Sequence, residues 1–424
     1  MLSNSMVPMV GIVDTAVMGR MGAPEWIAAT AVGAILFSSI YWVFGFLRMG
    51  TGGLVAQAYG AGKLQEAGQV TVRAMGIAIV LGALLILLQV PLLKLGLAAL
   101  EDSNDWKALT ATYFSVRILS APATLTVYVL LGTLIGLQKM TQVLILQFLL
   151  NLLNVALTIA LFAYTSLGIA GVAWATVISE YTTLFAGLFM LRKVLAQALS
   201  NRPLNSWLWD LTAARRYFSI SGNLFIRTLC LTLAFYWMTV LGSRISVGVL
   251  AVNTVLLHLV HFASYCMDGY AHAIESLTGY AVGKRSQMLF KRAVKAAIEL
   301  AVITALAFAV AYLLAGEYLV SLMTTESSVQ ELAKTWLPWV ILAPVTGIAS
   351  FLLDGIFIGA TRTAEMRNGM LISLLVFAIA SVALVPTMGN NGVWLSYHIL
   401  LIVRAITLMR YWPSLNIEFA DTSR

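Results

Sequence analysis

Twelve apolar runs, each close to or beyond the length of a bilayer crossing, follow one another along the chain with little between them. They fall near residues 1–19, 27–59, 68–99, 109–137, 142–164, 168–194, 216–241, 247–281, 293–315, 331–360, 367–387 and 391–412. A helix needs about 20 apolar residues to cross the hydrocarbon of a membrane. Hydrophobic residues make up 60% of the chain and charged ones 10%, with a mean hydropathy of +0.89. A water-soluble domain carries about a quarter charged residues, so lipid must be the solvent for most of this surface. In lipid only helices and closed barrels satisfy the backbone, and runs of this length select helices. The expected fold is all-α, with twelve transmembrane helices and no soluble domain large enough for a conventional enzyme. Cys230 and Cys266 both fall inside apolar runs and read as small buried hydrophobes. The first run, Leu2 to Met18, lacks a basic leading region and contains Pro8 and Asp14, so it reads as a span and not a signal peptide.

Basic residues set the sidedness of such a chain. With the N-terminus placed in the cytoplasm, 17 Lys and Arg fall on the cytoplasmic side, 5 on the opposite side, and 4 in or near spans. Both termini are therefore expected inside, as is the only long hydrophilic connection, Leu195 to Arg215. The net charge of +8 reflects that orientation, and a nucleic-acid partner has no support.

The two halves repeat one another. Gly60-Ala-Gly-Lys63 recurs as Ala281-Val-Gly-Lys284, Ala121-Pro122 as Ala343-Pro344, Gly136-Leu-Gln-Lys139 as Gly359-Ala-Thr-Arg362, and Gly171-Val172 as Gly392-Val393. Each half holds six spans; six is even, so the repeats are parallel. Residues 1–194 form one expected six-helix lobe, 195–215 a cytoplasmic linker, and 216–424 the second lobe. Two such lobes around a central cleft make a transporter.

An ionisable residue within a span is a functional candidate by default. Asp14 follows Pro8 and Gly11 in the first span. Pro8 donates no backbone hydrogen bond and weakens the helix there, while Gly11 admits a close neighbour. Asp14 is thus the candidate for proton coupling, at a preformed bend. In span 5, Asn151, Asn154 and Thr158 form a polar face suited to border it, with Gln57 in span 2 and Tyr113 in span 4 as further candidates. Arg48 and Arg117 read as structural, paired with carbonyls or a carboxylate. In the second half Asp268 and Glu275 share a face of span 8, and Asp354 sits in span 10. They line a cation pathway or neutralise Arg227 and Arg404. His258 and His261 lack a neighbouring carboxylate motif, so no metal site is expected.

The stretch PMVGIVDTAVMGRMG (Pro8 to Gly22) resembles the opening signature of the multidrug and toxic compound extrusion (MATE) family. FLRMGTGGLVAQAYGAGK (Phe46 to Lys63), VLAVN (Val249 to Asn253), DGYAHAIES (Asp268 to Ser276) and LLDGIFIGATRTAEMRN (Leu352 to Asn368) resemble its DinF branch. The resemblance covers essentially the whole chain. It implies export of amphipathic or cationic compounds through the cleft by alternating access, against inward flow of H⁺ or Na⁺. It matches Asp14 to the coupling carboxylate of span 1 and Asn154 to the asparagine of span 5. Thr158 stands where many relatives carry an acid, and span 7 offers only Arg227 where the NorM-type branch has a carboxylate.

A dehydrated Na⁺ wants several oxygen ligands and more than one nearby negative charge. Asp14 is the only carboxylate evident in the N-terminal cleft and its companions are neutral, so H⁺ is the expected coupling ion, with Na⁺ the alternative and no cofactor. A lipid-linked precursor flippase of the same superfamily is the rival reading, and would show a cationic cleft. A monomeric, multi-pass protein of the bacterial inner membrane is expected.

Overall fold

The structure, a computed structural model, describes residues 24–97, 104–199 and 210–415. Among them eleven helices are long and apolar enough to cross a membrane. The first apolar run, with Pro8, Gly11 and Asp14, lies outside the described residues, as do residues 200–209 of the linker.

The described residues form two units, one reaching Tyr217 and the other starting at Phe218. In the first, span 2 is built of α1 (Pro24–Val43) and α2 (Phe46–Gly60), separated by a tight turn at Phe44 and Gly45. Span 3 is α3 (Leu64–Leu87) with the short α4 (Gln89–Leu97). Span 4 is α5 (Asn104–Arg117), a 3₁₀ turn at Ile118–Ser120, and α6 (Ala121–Gly136). Pro122 stands in the first turn of α6, where its missing N–H would have no partner anyway. Spans 5 and 6 are α7 (Met140–Tyr164) and α8 (Ile169–Leu199).

The second unit holds six long helices: α9 (Leu211–Ile245), α10 (Val247–Gly283), α11 (Gln287–Met323), α12 (Ser327–Gly359), α13 (Thr363–Met388) and α14 (Asn390–Met409). Its counterpart of span 4, α12, runs through Pro338 and Pro344 without interruption. Helices α8 and α9 also reach into the expected linker, leaving less of 195–215 outside helix than its polarity implies. Apolar side chains face outward where lipid would meet them; Leu87 is 78% exposed and Leu314 80%.

The internal repeat is written in backbone contacts. In α6, Gly132 packs on the carbonyl of Arg48 and Gly136 on that of Gly52, both in α2. In α12, Gly355 packs on the carbonyl of Ala271 and Gly359 on that of Glu275, both in α10. Each residue of the second set follows its counterpart by 223 positions. Small residues four apart let two helix backbones touch, the main route to tight packing in lipid.

The same four helices end alike. After α2, α6, α10 and α12 the chain closes a Schellman turn, with Gly62, Gln138, Arg285 and Thr361 in the left-handed region at φ 73°, 60°, 55° and 56°. In each the following N–H reaches back five residues, Lys63 to Ala58, Lys139 to Leu134, Ser286 to Ala281 and Arg362 to Phe357. This corrects one sequence match. Gly62 corresponds to Arg285 and not to Gly283, so the pairing of Gly60–Lys63 with Ala281–Lys284 is two residues out of register. The Gly136–Lys139 and Gly359–Arg362 match holds in register. So does Gly171-Val172 with Gly392-Val393, where each Gly bonds back to a positive-φ glycine, Gly168 or Gly389.

Candidate functional site

In the N-terminal unit a polar seam joins α7 and α8. Asn154 and Thr158 are buried, 2% and 0% exposed, while Asn151 is half-buried. The Asn154 amide donates to Thr176 Oγ1 of α8 at 2.9 Å. Asn154 Oδ1 and Thr158 Oγ1 are buried with no hydrogen-bond partner among the described residues. Buried polar oxygens are rarely left unpaired, so this seam has unused capacity to accept a hydrogen bond or hold a cation.

The remaining sequence candidates in this unit occupy other places. Gln57 Oε1 accepts from Arg216 at 3.2 Å, near the end of α2. Tyr113 is 1% exposed and its hydroxyl accepts from Arg117 Nη1 at 2.6 Å. The Arg117 guanidinium also lies over the rings of Phe37 and Tyr113, 4.8 and 5.5 Å from their centroids. A guanidinium, weakly hydrated and planar, is stabilised by aromatic faces, and these contacts add to the electrostatic influence of Arg117 on the Glu180 carboxylate.

A further acid inside a span of this unit was not among the sequence candidates. Glu180 sits in α8, one turn beyond Thr176 on the same face. Its neighbours are Arg117 and Thr124, with Tyr41 and Tyr128 also within electrostatic reach. Its Oε2 is buried and has no hydrogen-bond partner among the described residues. The signal was present in the sequence, as an acid in a span whose other side chains are nearly all apolar or hydroxylic.

The acids of the C-terminal unit meet arginines. Asp354 Oδ2 accepts from both Arg227 of α9 and Arg404 of α14, and all three side chains are buried. Glu275 is 1% exposed, in the turn of α10 that packs against Gly359. Asp268 is half-buried and within electrostatic reach of Arg404. Of the two readings of these acids, neutralisation of Arg227 and Arg404 describes Asp354. Toward the other ends of α10 and α14, Asn253 and Asn390 exchange two amide hydrogen bonds of 2.7 and 2.9 Å, and Trp394 adds a third to Asn253 at 3.0 Å. His258 bonds the carbonyl of Thr254 at 2.7 Å and His261 packs edge-on against Phe235. Among the described residues no three His, Cys, Asp or Glu cluster as metal ligands. Cys230 and Cys266 are buried free thiols.

Apolar helices in two repeated six-span halves, with ionisable groups buried in each, define a polytopic membrane transporter. The chain belongs to the MatE family, which matches residues 1–160 and 224–386, and is a MATE-type transporter. It is 39% identical to the DNA damage-inducible protein F of Escherichia coli (strain K12), over 97% of this chain and 89% of that one. It is also 24% identical to Protein DETOXIFICATION 44, chloroplastic, of Arabidopsis thaliana, over 94% and 77%. Among solved structures it is similar to a MATE in the bent conformation, with a TM-score of 0.89 and 19% identity over 100% of this chain and 95% of the other. The same comparison with a MATE in the straight conformation has a TM-score of 0.85 and 18% identity, over 99% and 93%.

Proposed function

We propose that this protein is an H⁺-coupled multidrug efflux antiporter that exports amphipathic or cationic compounds by alternating access between the two lobes, with Asp14 carrying the coupling proton. The observation that carries this reading is the contrast between the two halves. The carboxylate of Asp354 is already held by two guanidiniums, whereas the α7–α8 seam keeps acceptor oxygens on Asn154 and Thr158 unused. A coupling ion needs ligands that are not committed elsewhere; the N-terminal seam supplies neutral ones, whereas Asp354 Oδ1, the acceptor left over in the C-terminal cluster, belongs to a carboxylate whose charge two arginines already offset.

H⁺ is favoured over Na⁺ because the polar groups of the seam, Asn154, Thr158 and Thr176, are all neutral, and a dehydrated Na⁺ wants more than one negative charge nearby. Protonation of Asp14 from the outer face removes a buried charge outright. The first helix then bends at Pro8, where the ladder of backbone hydrogen bonds is already broken, with Gly11 allowing close approach, and the cargo is expelled. Solved MATE structures similar to this chain are described in bent and straight conformations, which accords with a two-state element in such proteins. Both termini lie in the cytoplasm of a bacterial cell, and the protein acts as a monomer.

The test is transport of a fluorescent organic cation in proteoliposomes with each gradient imposed alone. A proton gradient drives export in this reading. Export driven by a Na⁺ gradient at equal pH, and indifferent to a proton gradient, overturns it. Movement of a lipid-linked pyrophosphate that answers to neither gradient selects the flippase instead.

A further inference from the structure

Glu180 is left over from the function just described. It is an acid in the middle of a membrane helix, and no ion pair closes on it: its carboxylate makes none among the described residues, although Arg117 is a neighbour. Arg117 instead spends a donor on the Tyr113 hydroxyl and lies over the Phe37 ring. Tyr41, 7% exposed, has a hydroxyl that makes no hydrogen bond among the described residues. Glu180 Oε2 is in the same condition. An unpaired acceptor and an unpaired hydroxyl in one buried cluster are what a carboxyl that changes protonation state would leave behind.

Position strengthens the case. Helices α7 and α8 are joined by the short connection 165–168 and so run antiparallel, meeting at the bond from Asn154 to Thr176. Thr158 is one turn from that bond along α7 and Glu180 one turn from it along α8, each about 6 Å away in opposite directions. The three unused acceptors, Thr158 Oγ1, Asn154 Oδ1 and Glu180 Oε2, therefore form a column along the helix axes. Glu180 is its single ionisable member.

We propose that Glu180 is a second proton-binding carboxylate of the transport cycle, acting in series with Asp14. This rests on the antiport reading above. The charged form is supported by the Arg117 guanidinium and the Thr124 hydroxyl; the neutral form can donate to the oxygen of Thr124 or Tyr41. The groups facing it are Tyr41 of α1, Arg117 of α5, Thr124 and Tyr128 of α6, and, more remotely, Arg48 of α2, which acts on Tyr128. Along this stretch helix α7 carries only neutral polar side chains, Gln147, Asn151, Asn154 and Thr158. Each cycle then exchanges two protons for one cargo. For a monovalent cation that moves one net positive charge inward, so a membrane potential negative on the cytoplasmic side accelerates export.

The experiment has two arms. In detergent, addition of a monovalent organic cation to the wild-type protein is expected to release about two protons per cargo bound, as two linked titrations require, and E180Q about one with binding retained. In proteoliposomes, wild-type export responds to both the pH gradient and the membrane potential. E180Q keeps the first response and loses the second, and E180D keeps both. Release of a single proton by the wild type, or unaltered potential dependence in E180Q, overturns the proposal. So does loss of cargo binding by E180Q at every pH, which makes Glu180 a cargo ligand. If E180Q does not fold, the wild-type proton count decides. D14N separates the two readings: export by D14N that still follows the pH gradient removes the assignment of the coupling proton to Asp14, on which this proposal rests, whereas its loss beside an unchanged E180Q removes only this one.

Discussion

A carboxylate in a membrane helix is tolerated when something compensates its charge, and the kind of compensation says what it can do. Asp354 has two guanidiniums on one oxygen. Removing its charge while keeping its shape leaves Arg227 and Arg404 buried together without a counter-charge. Asp354→Asn should therefore lower stability by about 3–5 kcal/mol, read as a fall in thermal midpoint in detergent, while protein that survives stays coupled. A stable variant that binds cargo but is uncoupled would place the coupling site in the wrong half. Asp14→Asn is expected to do the opposite: fold, bind cargo, and fail to export it under a proton gradient in proteoliposomes. Asp14, Asn154 and Asp354 were all legible as ionisable or amide groups in apolar runs. Glu180 obeys the same rule and was missed, because its relation to Arg117 and Thr124 exists only once α5, α6 and α8 are packed. The aromatic stacking of Arg117 was illegible for a similar reason. Nothing in the spacing from Phe37 to Arg117 shows that a ring will lie under the guanidinium.

Helix ends carry the next layer of information. Four helices close in the same left-handed turn, yet only one uses glycine there. A β-branched residue at positive φ is a steric outlier, with a penalty of about 1–2 kcal/mol for an L-residue in that region. Part of it is returned by the smaller unfolded-state freedom of threonine. Thr361→Gly is thus expected to stabilise the protein by about 0.5–1 kcal/mol, and Gly62→Thr to destabilise it by a similar amount. Thermal unfolding of the two purified variants against wild type checks both signs. The two-residue slip in the sequence match at Gly60 arises here. Matching glycine to glycine is natural when letters are compared, but the turn is a backbone shape, and Arg285 occupies it as Gly62 does. The glycines that do keep register, Gly132, Gly136, Gly355 and Gly359, are held there by a contact that no side chain permits. Gly355→Ala would drive a methyl into the carbonyl of Ala271, with an expected loss of about 1–3 kcal/mol, measurable in the same assay.

At the level of the whole chain, hydropathy and the placement of Lys and Arg carry most of what can be anticipated. Apolar runs marked every described span because lipid tolerates few exceptions. Their internal breaks, at Phe44–Gly45, Leu88 and Ile118–Ser120, escaped because a turn or 3₁₀ segment of apolar residues leaves hydropathy unchanged. Sidedness is the molecule-scale expectation still open to direct measurement. Reporter fusions at either terminus and within residues 200–209 should all report a cytoplasmic location. A terminus found outside would invert the polarity of every proton step proposed above.

The glycine contacts have a mechanical consequence. Where α6 lies bare against α2, and α12 against α10, neither partner can roll or slide without a carbonyl riding over the neighbouring backbone. Each half of the protein therefore owns a strut, two helices thick and nearly inextensible, and motion during turnover must be borne by its more loosely meshed neighbours. Deuterium uptake should then be slowest at residues 48–56 with 132–136 and at 271–279 with 355–359, and should stay slow whichever gradient or cargo is applied.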